Sequence, residues 1–577
     1  MNKSVFVSIL SVLLLLLISS CNKEIKEEEF PNYIVHTIDI TGDQTWSGDT
    51  HLIQGTVVLN DLILTIEPGC IVLFDIDAEL IIGDSLPTAI IANGTEEEPI
   101  IFTSVNKEDA LPGDWEYVKF MENTDASTSL NHCKFLYGGG NFSDIGIIHL
   151  SDCHISVENC EFAYSTHYGV TLGDGAYFDN FKNNTIRDCQ SYAIKTEAKS
   201  VTSFERSNTI ESDSGIFITD EYFKERDITW INHGVPYSFN DDFIIGAPGG
   251  SKLRLEPGTV VRMGRNGSIN VGLSQDEPGT LIAAGTETEP IVFTSENSLK
   301  SPGDWKYLWF DEGASSSTKL EYCLIEYGGG YTENTGMVEI RNCKINMDNC
   351  TIKRSKQYGI NAYIEGGFES FSGNTVEFNN NYPIRIKANH LHTLGYNNFV
   401  DTNTVIMVEE DDIEGLDKTW KKQTCPYLIN GIIDIEDADS CTLTILGGIE
   451  LQLVNNSTIT VGYTDKKYGR LFANGVTFTS AQKDSKAGDW DYIAFGPNTL
   501  SGSILNDCKI LYGGGGTSEN FSYGAVYIKQ NDNTTVSNCE IGFSKGNGIT
   551  IVQSDATIEN NNFHDIALKD IVTVSSK

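Results

Sequence analysis

The chain has few basic residues relative to its acidic ones. Its 577 residues contain 40 lysines and arginines against 80 aspartates and glutamates, which gives a formal charge of −40 at pH 7. Because binding to nucleic acid or to an anionic lipid surface requires basic patches, this imbalance argues against both partners. Helical periodicity is also nearly absent after residue 25, since glycine and asparagine interrupt most stretches. We therefore expect an all-β chain that does not bind nucleic acid.

Common metal-binding and disulfide motifs are also missing. No Cys-x-x-Cys pair and no Asp-x-Asp-x-Asp-Gly loop occurs, which argues against the usual structural zinc and EF-hand calcium sites. A chain of this length does not need disulfides to hold its core, although an oxidising envelope would allow one between neighbouring cysteines. We expect no cofactor. The alternative is Ca²⁺ at one of two acidic clusters, residues 240–242 or 409–414.

The N-terminus carries a short apolar run instead of a membrane span. Lys3 precedes a leucine-rich segment at residues 12–18, which ends in Ser19-Ser20-Cys21. A run this short, closed by small residues, is typical of a cleaved signal peptide. The segment 18–21 resembles the lipobox of bacterial lipoproteins, a family in which the cysteine thiol is acylated after cleavage. The alternative is an ordinary signal peptide that happens to contain a cysteine.

The residues after Cys21 are polar and mostly acidic, with nothing to pack against a core. They are similar to the acidic export signals of surface lipoproteins in Bacteroidetes-type bacteria. We therefore predict a signal peptide at residues 1–20 and an acidic tether at 21–40. The resemblance implies a protein anchored in the outer membrane through a lipid on Cys21 and exposed at the cell surface.

One long repeat dominates the rest of the chain. The motif Gly-Asp-Trp ends at Trp115, Trp305 and Trp490, and Tyr-Gly-Gly-Gly begins at Tyr137, Tyr327 and Tyr512. Both motifs recur after 190 and then 185 residues, and six of the seven tryptophans fall on two repeat positions, leaving Trp309 apart. These offsets divide the chain into three copies, residues 41–220, 221–410 and 411–577. The shorter pattern described next is lost near 221–245 and 408–430, where we expect kinks or irregular crossovers.

A shorter period lies inside each copy. The pattern of Cys or Asn, any residue, then an apolar residue recurs every 22–24 residues. It occurs at Cys160, Asn184 and Asn208, at Cys350, Asn374 and Asn397, and at Cys539 and Asn561. Short β-branched runs separated by Gly and Asn at this spacing are typical of a parallel β-helix, in which equivalent residues stack about 4.8 Å apart. We expect the asparagines to hydrogen-bond along the stack and the cysteines to be buried packing residues.

The repeated motifs resemble a known family. Leu64-Thr-Ile-Glu-Pro-Gly69 and Phe102-Thr-Ser104, followed by Gly-Asp-Trp and Tyr-Gly-Gly-Gly, are similar to the right-handed parallel β-helix repeat proteins of bacterial surfaces, in the pectin-lyase-like superfamily. The resemblance covers nearly all of residues 45–577. It implies an all-β solenoid of three long sequence repeats. It implies much less about activity, because this fold carries lyases, hydrolases and adhesins alike.

Candidate catalytic residues are few. Arg385-Ile386-Lys387 resembles a polygalacturonase motif, but the partner motifs of that family are missing, and the segment aligns with an ordinary strand at 192–195. The aspartates of Gly-Asp-Trp are expected to cap turns, with each Trp covering an end of the core. The histidines at 132, 154 and 167 occur only in the first copy and are a candidate joint site. We therefore predict no catalytic residue.

The repeated tyrosines are the candidate ligand-binding residues. Tyr137, Tyr327 and Tyr512 would form a repeated surface feature on which sugar rings stack, or would be buried beside glycines that a tight turn requires. Our leading hypothesis is a non-catalytic surface lipoprotein that binds extracellular glycan or another cell-surface ligand along its solenoid face. The alternatives are a carbohydrate-active enzyme, with a site near the histidines, Asp241 or Asp411, and a purely adhesive stalk.

Overall fold

A computed structural model describes residues 33–219, 221–225, 227–518 and 521–574. The predicted signal peptide, Cys21 and the first part of the tether lie outside the described residues. Described helices are three short 3-10 segments, Lys107–Asp109, Ser200–Ser203 and Ala388–Thr393. None of them is long or apolar enough to cross a membrane. The other described elements are β-strands, which confirms the prediction of an all-β chain.

The strands form the faces of a coil, because each pairs in parallel with the strand one turn further along the chain. In the first copy each turn passes through three sheets, A, B and C. Sheet A has eight strands: Tyr33–His36, Thr50–Ile53, Ile71–Phe74, Ile100–Ser104, Cys133–Leu136, Glu161–Ser165, Thr185–Cys189 and Thr209–Glu211. Sheet C has six: Gln44–Trp46, Leu62–Ile66, Thr88–Asn93, Ser129–Asn131, His154–Glu158 and Tyr177–Lys182.

Sheet B continues from the first copy through the second. Its fifteen strands are Ile40–Thr41, Thr56–Asn60, Glu79–Ile82, Val118–Phe120, Gly146–Leu150, Tyr168–Leu172, Ile194–Thr196, Ile216–Ile218, Tyr237–Phe239, Val260–Met263, Ile291–Ser295, Cys323–Glu326, Thr351–Lys353, Thr375–Glu377 and Phe399–Val400. The second copy also uses sheet E: Ile228–Trp230, Ser251–Leu255, Gly279–Ala284, Lys319–Glu321, Lys344–Asp348 and Gly367–Ser372.

Sheet D runs from the second copy to the last described strand and covers two of the three faces in the third copy, because Tyr427–Ile435 pairs with both Glu450–Leu453 and Thr458–Val461. Its nineteen strands are Tyr222–Phe223, Asp242–Ile245, Ser268–Val271, Leu308–Phe310, Gly336–Arg341, Tyr358–Tyr363, Ile384–Lys387, Ile406–Ile413, Tyr427–Ile435, Glu450–Leu453, Thr458–Val461, Thr477–Ser480, Tyr492–Phe495, Lys509–Leu511, Val526–Lys529, Glu540–Gly542, Ile549–Val552, Asn562–His564 and Ile571–Val574. Sheet F completes the third copy: Lys418–Trp420, Cys441–Ile445, Gly469–Asn474, Ser503–Asn506, Thr534–Ser537 and Thr557–Glu559. Thr517–Ser518 and Phe521–Ser522 form an antiparallel pair in the connection between Lys509–Leu511 and Val526–Lys529 of sheet D.

The solenoid is continuous across both copy boundaries. Sheet B pairs Ile216–Ile218 with Tyr237–Phe239 across the first boundary, and sheet D pairs Ile384–Lys387 with Ile406–Ile413 across the second. On the other two faces one sheet ends at each boundary and another follows it, so the predicted irregularity is present on those faces and absent from the third. The strands Asp242–Ile245, Ile406–Ile413 and Tyr427–Ile435 extend sheet D through these segments, with a register shift between Glu409 and Asp411. The sequence pattern fades there because several outward residues are acidic, while the inward residues remain apolar.

The three copies are not aligned along the solenoid axis. The strand before Tyr-Gly-Gly-Gly is Cys133–Leu136 of sheet A, then Cys323–Glu326 of sheet B, then Lys509–Leu511 of sheet D. In the first copy each turn passes from A to B to C, and in the second from B to D to E. The sheet that is second in one copy is thus first in the next. Each copy is rotated by one face of the three-sided coil relative to the copy before it.

The core fills the inside of the coil. In Leu62–Ile66 the first, third and fifth residues are buried and the other two are not, as the alternation of a strand requires. Equivalent inward residues of successive turns stack, for example Phe102 on Phe135 at 4.4 Å and Phe135 on Phe162 at 5.2 Å between ring centroids. These stacks remove large apolar surfaces from water, which is the main stabilising term of such a fold.

An inward asparagine column joins successive turns. The amide oxygen of Asn184 accepts from the backbone N–H of Cys160 at 2.9 Å, and that of Asn208 accepts from the N–H of Asn184 at 2.9 Å. In the second copy the column continues through Asn374 to Asn398. The last member is therefore Asn398, and the prediction of Asn397 was wrong by one residue. Each asparagine accepts a backbone N–H of the turn before it, and Asn398 also accepts from the side-chain amide of Asn374 at 3.3 Å.

The cysteines are packing residues in the same interior. All twelve cysteines in the described part of the chain are free, and eleven of them are buried. Cys160 and Cys350 each head an asparagine column in their copy. Burial raises the pKa of the Cys323 thiol well above its usual range, so this thiol stays protonated and unreactive.

The Gly-Asp-Trp and Tyr-Gly-Gly-Gly motifs form one structural unit. Trp115, Trp305 and Trp490 are fully buried within the coil, which corrects the prediction that they cover an end of the core. The indole N–H of Trp305 donates to the carbonyl of Glu326 at 2.9 Å. A Cβ atom on Gly328 would lie 2.7 Å from the Trp305 ring, so only glycine fits there. Asp304 accepts from the Ser295 hydroxyl and the Ser301 N–H, which is the capping role predicted for it.

Candidate ligand-binding surface

The repeated tyrosines end their strands in a left-handed backbone conformation. The φ angles of Tyr137, Tyr327 and Tyr512 are 66°, 67° and 67°. The residue one turn further along is left-handed in each copy too, at Tyr164, Arg354 and Phe543. This conformation turns each side chain out of the sheet beside its neighbour on the next turn. The result is a short outward stack in each copy, which we call the first, second and third ladder.

The first ladder is a stack of two tyrosines and an arginine. The Tyr137 and Tyr164 rings lie 4.8 Å apart between centroids at an interplanar angle of 14°. The guanidinium of Arg187 lies 4.7 Å from the Tyr164 centroid and donates to Glu161 at 3.0 Å. All three side chains are partly exposed. Stacking of this kind holds the rings in place and leaves the outer edge of the stack open to solvent.

The third ladder repeats the stack with different residues. The rings of Tyr512 and Phe543 lie 4.8 Å apart at 7°, and His564 meets Phe543 edge-on at 5.0 Å. The His564 ring contacts Asp565 at 3.0 Å and Glu540 at 3.2 Å. Hydrogen bonds to these two carboxylates raise the pKa of His564 above its usual value. An aromatic pair is thus kept at this position although one ring has changed from Tyr to Phe.

The second ladder is built around cations. Arg354 replaces the second ring, with its guanidinium 5.3 Å from the Tyr327 centroid, and the Lys300 ammonium lies 5.8 Å from the same ring. Arg354 also donates to the Tyr327 hydroxyl. Tyr327 is therefore flanked by positive charge in a chain whose overall charge is strongly negative.

The ladders lie on different sides of the solenoid. The first lies at the edge of sheet A, the second at the edge of sheet B and the third at the edge of sheet D, as the rotation between copies requires. The tyrosines thus recur as a surface feature that turns around the axis instead of following a single face of the solenoid. The physical reason is the one-face offset between copies, which moves equivalent residues around the axis as well as along it.

The three histidines of the first copy do not form a joint site. His132 lies just before a sheet A strand, His154 begins a sheet C strand, and His167 lies between a sheet A strand and a sheet B strand. His154 is paired with Asp179 at 2.7 Å. Residues close in sequence lie on different sides of the coil because each turn passes through three sheets. The prediction of a joint histidine site was therefore wrong.

The acidic clusters are engaged with lysines. Asp242 lies 2.7 Å from Lys306, and Lys467 lies 3.4 Å from Asp412 and 3.1 Å from Glu414. Glu365, Lys387, Asn389, Glu410, Asp411 and Asp434 line an open groove on this side. Within the described residues, no group of three or more His, Cys, Asp or Glu side chains is placed to hold a metal ion.

Arg385 and Lys387 lie outward on an ordinary sheet D strand. Arg385 donates to Glu409 at 2.7 Å, and Lys387 donates to the backbone carbonyl of Glu410 at 2.7 Å. The place of Arg385 in its strand is equivalent to that of Lys195 in the first copy, as the sequence alignment indicates. The resemblance to a polygalacturonase motif thus falls on a regular strand of the coil.

One polar column was missed by sequence reasoning. Trp309, Glu339, Asn361 and Arg385 are register partners on four successive turns of sheet D. Both carboxylate oxygens of Glu339 lie 3.1 Å from the Asn361 amide nitrogen, and the N–H of Gly336 also donates to this carboxylate. Burial raises the pKa of Glu339 to about 8. The sequence offered one indication of this column, because Trp309 is the only tryptophan that lies outside the two repeated tryptophan positions.

Comparison with known proteins supports the fold. Residues 437–576 match the family described as right handed beta helix region. The chain is a right-handed parallel β-helix. No curated protein matches this chain. Among solved structures, the β-helix is similar to the A-module of the mannuronan C-5 epimerase AlgE4 of Azotobacter vinelandii, with 9% identity over 91% of each chain and a TM-score of 0.12. At this TM-score the likeness says nothing about activity.

Proposed function

We propose that this β-helix is a cell-surface lipoprotein, anchored in the outer membrane through Cys21, that binds extracellular glycan or another cell-surface ligand without turnover. The observation that supports this best is the outward stack at the same repeat position in the first and third copies. Tyr137 with Tyr164, and Tyr512 with Phe543, keep two parallel rings partly exposed although the residues differ. Flat aromatic rings held side by side at a surface pack well on sugar faces.

A binding role also agrees with the structural role of the aspartate in each Gly-Asp-Trp motif. Asp114, Asp304 and Asp489 each accept a serine hydroxyl at 2.5–2.7 Å and a backbone N–H at 2.8–3.2 Å. These carboxylates stabilise the turn before the buried tryptophan and are not directed at a ligand. The motif that survives in all three copies therefore supports the shape of the ladders instead of supplying acid–base chemistry.

Removing the three tyrosines is expected to remove glycan binding. The triple variant Tyr137→Ala, Tyr327→Ala, Tyr512→Ala should weaken retention in polysaccharide affinity gels by about tenfold or more, since each ring is a central contact. A matched control replaces three exposed tyrosines outside the ladders, Tyr177, Tyr222 and Tyr396, which are 43%, 52% and 56% exposed. Equal retention of the wild type and both variants would contradict the proposal.

The second candidate function is a carbohydrate-active enzyme of the second copy. It is favoured by Glu339, a buried acid with a raised pKa that lies beside Trp309 and two turns from Arg385. A raised carboxyl pKa suits a general acid. Unsaturated-uronate absorbance and reducing ends, measured on the same polysaccharides, test it. Product formation that Glu339→Gln abolishes would replace the binding proposal with this one.

The anchor is tested by replacing the predicted acylation site. Cys21→Ala should prevent incorporation of labelled palmitate and move the protein from the membrane fraction to the soluble fraction, because the thiol is the acylated group. Cys70→Ala, at a buried position, serves as the control and should leave labelling unchanged. Labelling of the Cys21→Ala protein at the wild-type level would rule out this anchor.

A further inference from the structure

The second ladder contains a cluster of charges around one buried carboxylate. Glu326 is 8% exposed and accepts from the Thr294 hydroxyl at 3.1 Å. Three cations surround it: Lys300 at 3.8 Å, Lys353 at 3.8 Å and Arg354 at 3.9 Å. Three positive groups and one negative group give these side chains a formal charge of +2. We call this set the cationic cluster.

The cluster exists only in the second copy. Alignment of the repeated motifs places Lys300 with Ala110 and Ser485, and Glu326 with Leu136 and Leu511. Rung pairing places Lys353 with Ala163 and Gly542, and Arg354 follows with Tyr164 and Phe543. At these four positions the first and third copies have small, apolar or aromatic residues, whereas the second copy has three cations within 3.9 Å of one carboxylate. A charge cluster assembled at positions far apart in sequence is not explained by the repeat itself.

The cations keep donors for a ligand. Separations of 3.8–3.9 Å from Glu326 are longer than the 2.7–2.9 Å of a charge-assisted hydrogen bond, so the carboxylate positions the cations without taking up their N–H groups. Lys300 uses one donor on the Thr294 hydroxyl at 2.9 Å. Their side chains are 34%, 25% and 47% exposed for Lys300, Lys353 and Arg354, and Phe378 on the next turn is 65% exposed.

The electrostatic setting favours a specific anion over general attraction. The chain as a whole carries −40 and repels polyanions, so an anion that binds must be held by local contacts. Glu377 is the register partner of Lys353 on the following turn and limits the positive patch on that side. The open side is therefore the one that faces Tyr327 and Arg354.

We propose that the cationic cluster binds an anionic substituent, a carboxylate or a sulfate ester, of a polysaccharide whose neighbouring sugar packs against Tyr327 or Phe378. This inference rests on the proposed binding function and specifies the ligand class of its second ladder. Lys353 and Arg354 supply the charged donors, and Glu326 holds them in place. The first and third ladders lack the cluster.

The test exchanges the cluster for the residues of the first copy. The variant Lys300→Ala, Glu326→Leu, Lys353→Ala, Arg354→Tyr uses side chains that already pack at the equivalent positions around Trp115. Affinity gels contain polygalacturonate as the carboxylate probe, dextran sulfate as the sulfate probe, or dextran as the neutral probe. The variant should lose about tenfold or more in affinity for an anionic probe and none for dextran, and the wild-type retention should fall at high salt.

A charge-matched control uses another face of the β-helix. Asp227→Ala, Lys252→Ala, Arg254→Ala and Lys319→Ala together remove three cations and one carboxylate on sheet E and its approach. Retention by one anionic probe, or by both, that only the cluster variant loses supports the inference and identifies the group bound. Equal loss in the control, or none in the variant, overturns it. Binding of dextran alone overturns it while the proposed function stands, and binding of no probe counts against both.

Discussion

Replacing Trp305 by alanine is expected to cost about 3–5 kcal/mol of local stability, in the range of large core truncations. The indole is fully buried, and its N–H donates to the carbonyl of Glu326. Gly328 packs directly on the ring, with no room for a Cβ atom. Removal of the indole therefore leaves a cavity, an unpaired carbonyl and an unsupported strand end below Tyr327.

The measurement should be local, because a long solenoid does not unfold in one step. Amide hydrogen exchange in the strand Cys323–Glu326 should become faster in Trp305→Ala, while distant turns such as Ile71–Phe74 keep their protection. Trp309→Ala is the matched control, since this ring lies outward and partly exposed and its loss should cost about 1 kcal/mol or less. Equal protection in both variants would mean that the buried indole does not support the ladder.

Replacing Glu339 by glutamine is expected to make the protein more stable at alkaline pH. The carboxyl is buried and its pKa is raised from 4.5 to about 8. Between these values the folded state keeps the proton and the unfolded state loses it, so the folded state binds more protons and stability falls as pH rises. Glutamine has nearly the same shape and no charge to bury. Above pH 8 the gain should be on the order of 4–5 kcal/mol, because each pKa unit corresponds to about 1.4 kcal/mol.

Amide hydrogen exchange in the strand Gly336–Arg341, compared between both proteins from pH 4 to pH 9, provides the local measurement, because intrinsic exchange rates and other titrating groups are common to the two and cancel in the difference. The protection of this strand should agree between the two proteins at the acid end and diverge progressively toward pH 8. Glu333→Gln, an exposed position on the neighbouring loop, is the control and should follow the wild type throughout. A constant difference at all pH values would show that Glu339 does not bind its proton more tightly in the folded state.

The coil could be predicted from the sequence because each turn imposes the same demands. An inward asparagine can hydrogen-bond only if a partner lies one turn away, as Asn208 does for the backbone N–H of Asn184. Asparagine therefore recurs in the sequence at the spacing of the coil. The rotation of the copies could not be predicted in the same way. It depends on how many faces of the coil the 190 residues between Trp115 and Trp305 cover. Because the loops differ in length, that number of faces cannot be calculated from the number of residues.

The site was predicted in part. The three tyrosines stood out because the glycines after them are fixed by contact with a buried tryptophan. The cationic cluster did not, because Lys300, Glu326 and Lys353 are separated by about one turn each and meet only when the turns stack. A comparison of the copies position by position, asking where charge replaces Ala or Leu, would have identified it.

The one-face offset between copies places the three ladders on three different sides of the molecule. Under the proposed function, a ligand strand held at Tyr137 would lie on a different side from one held at Tyr327 or Tyr512, so the three would not compete for space. A fourth copy would return to the side of the first. Three is therefore the smallest number of copies that uses every side once, and under the proposed function a single molecule would join three separate strands into a cross-linked network.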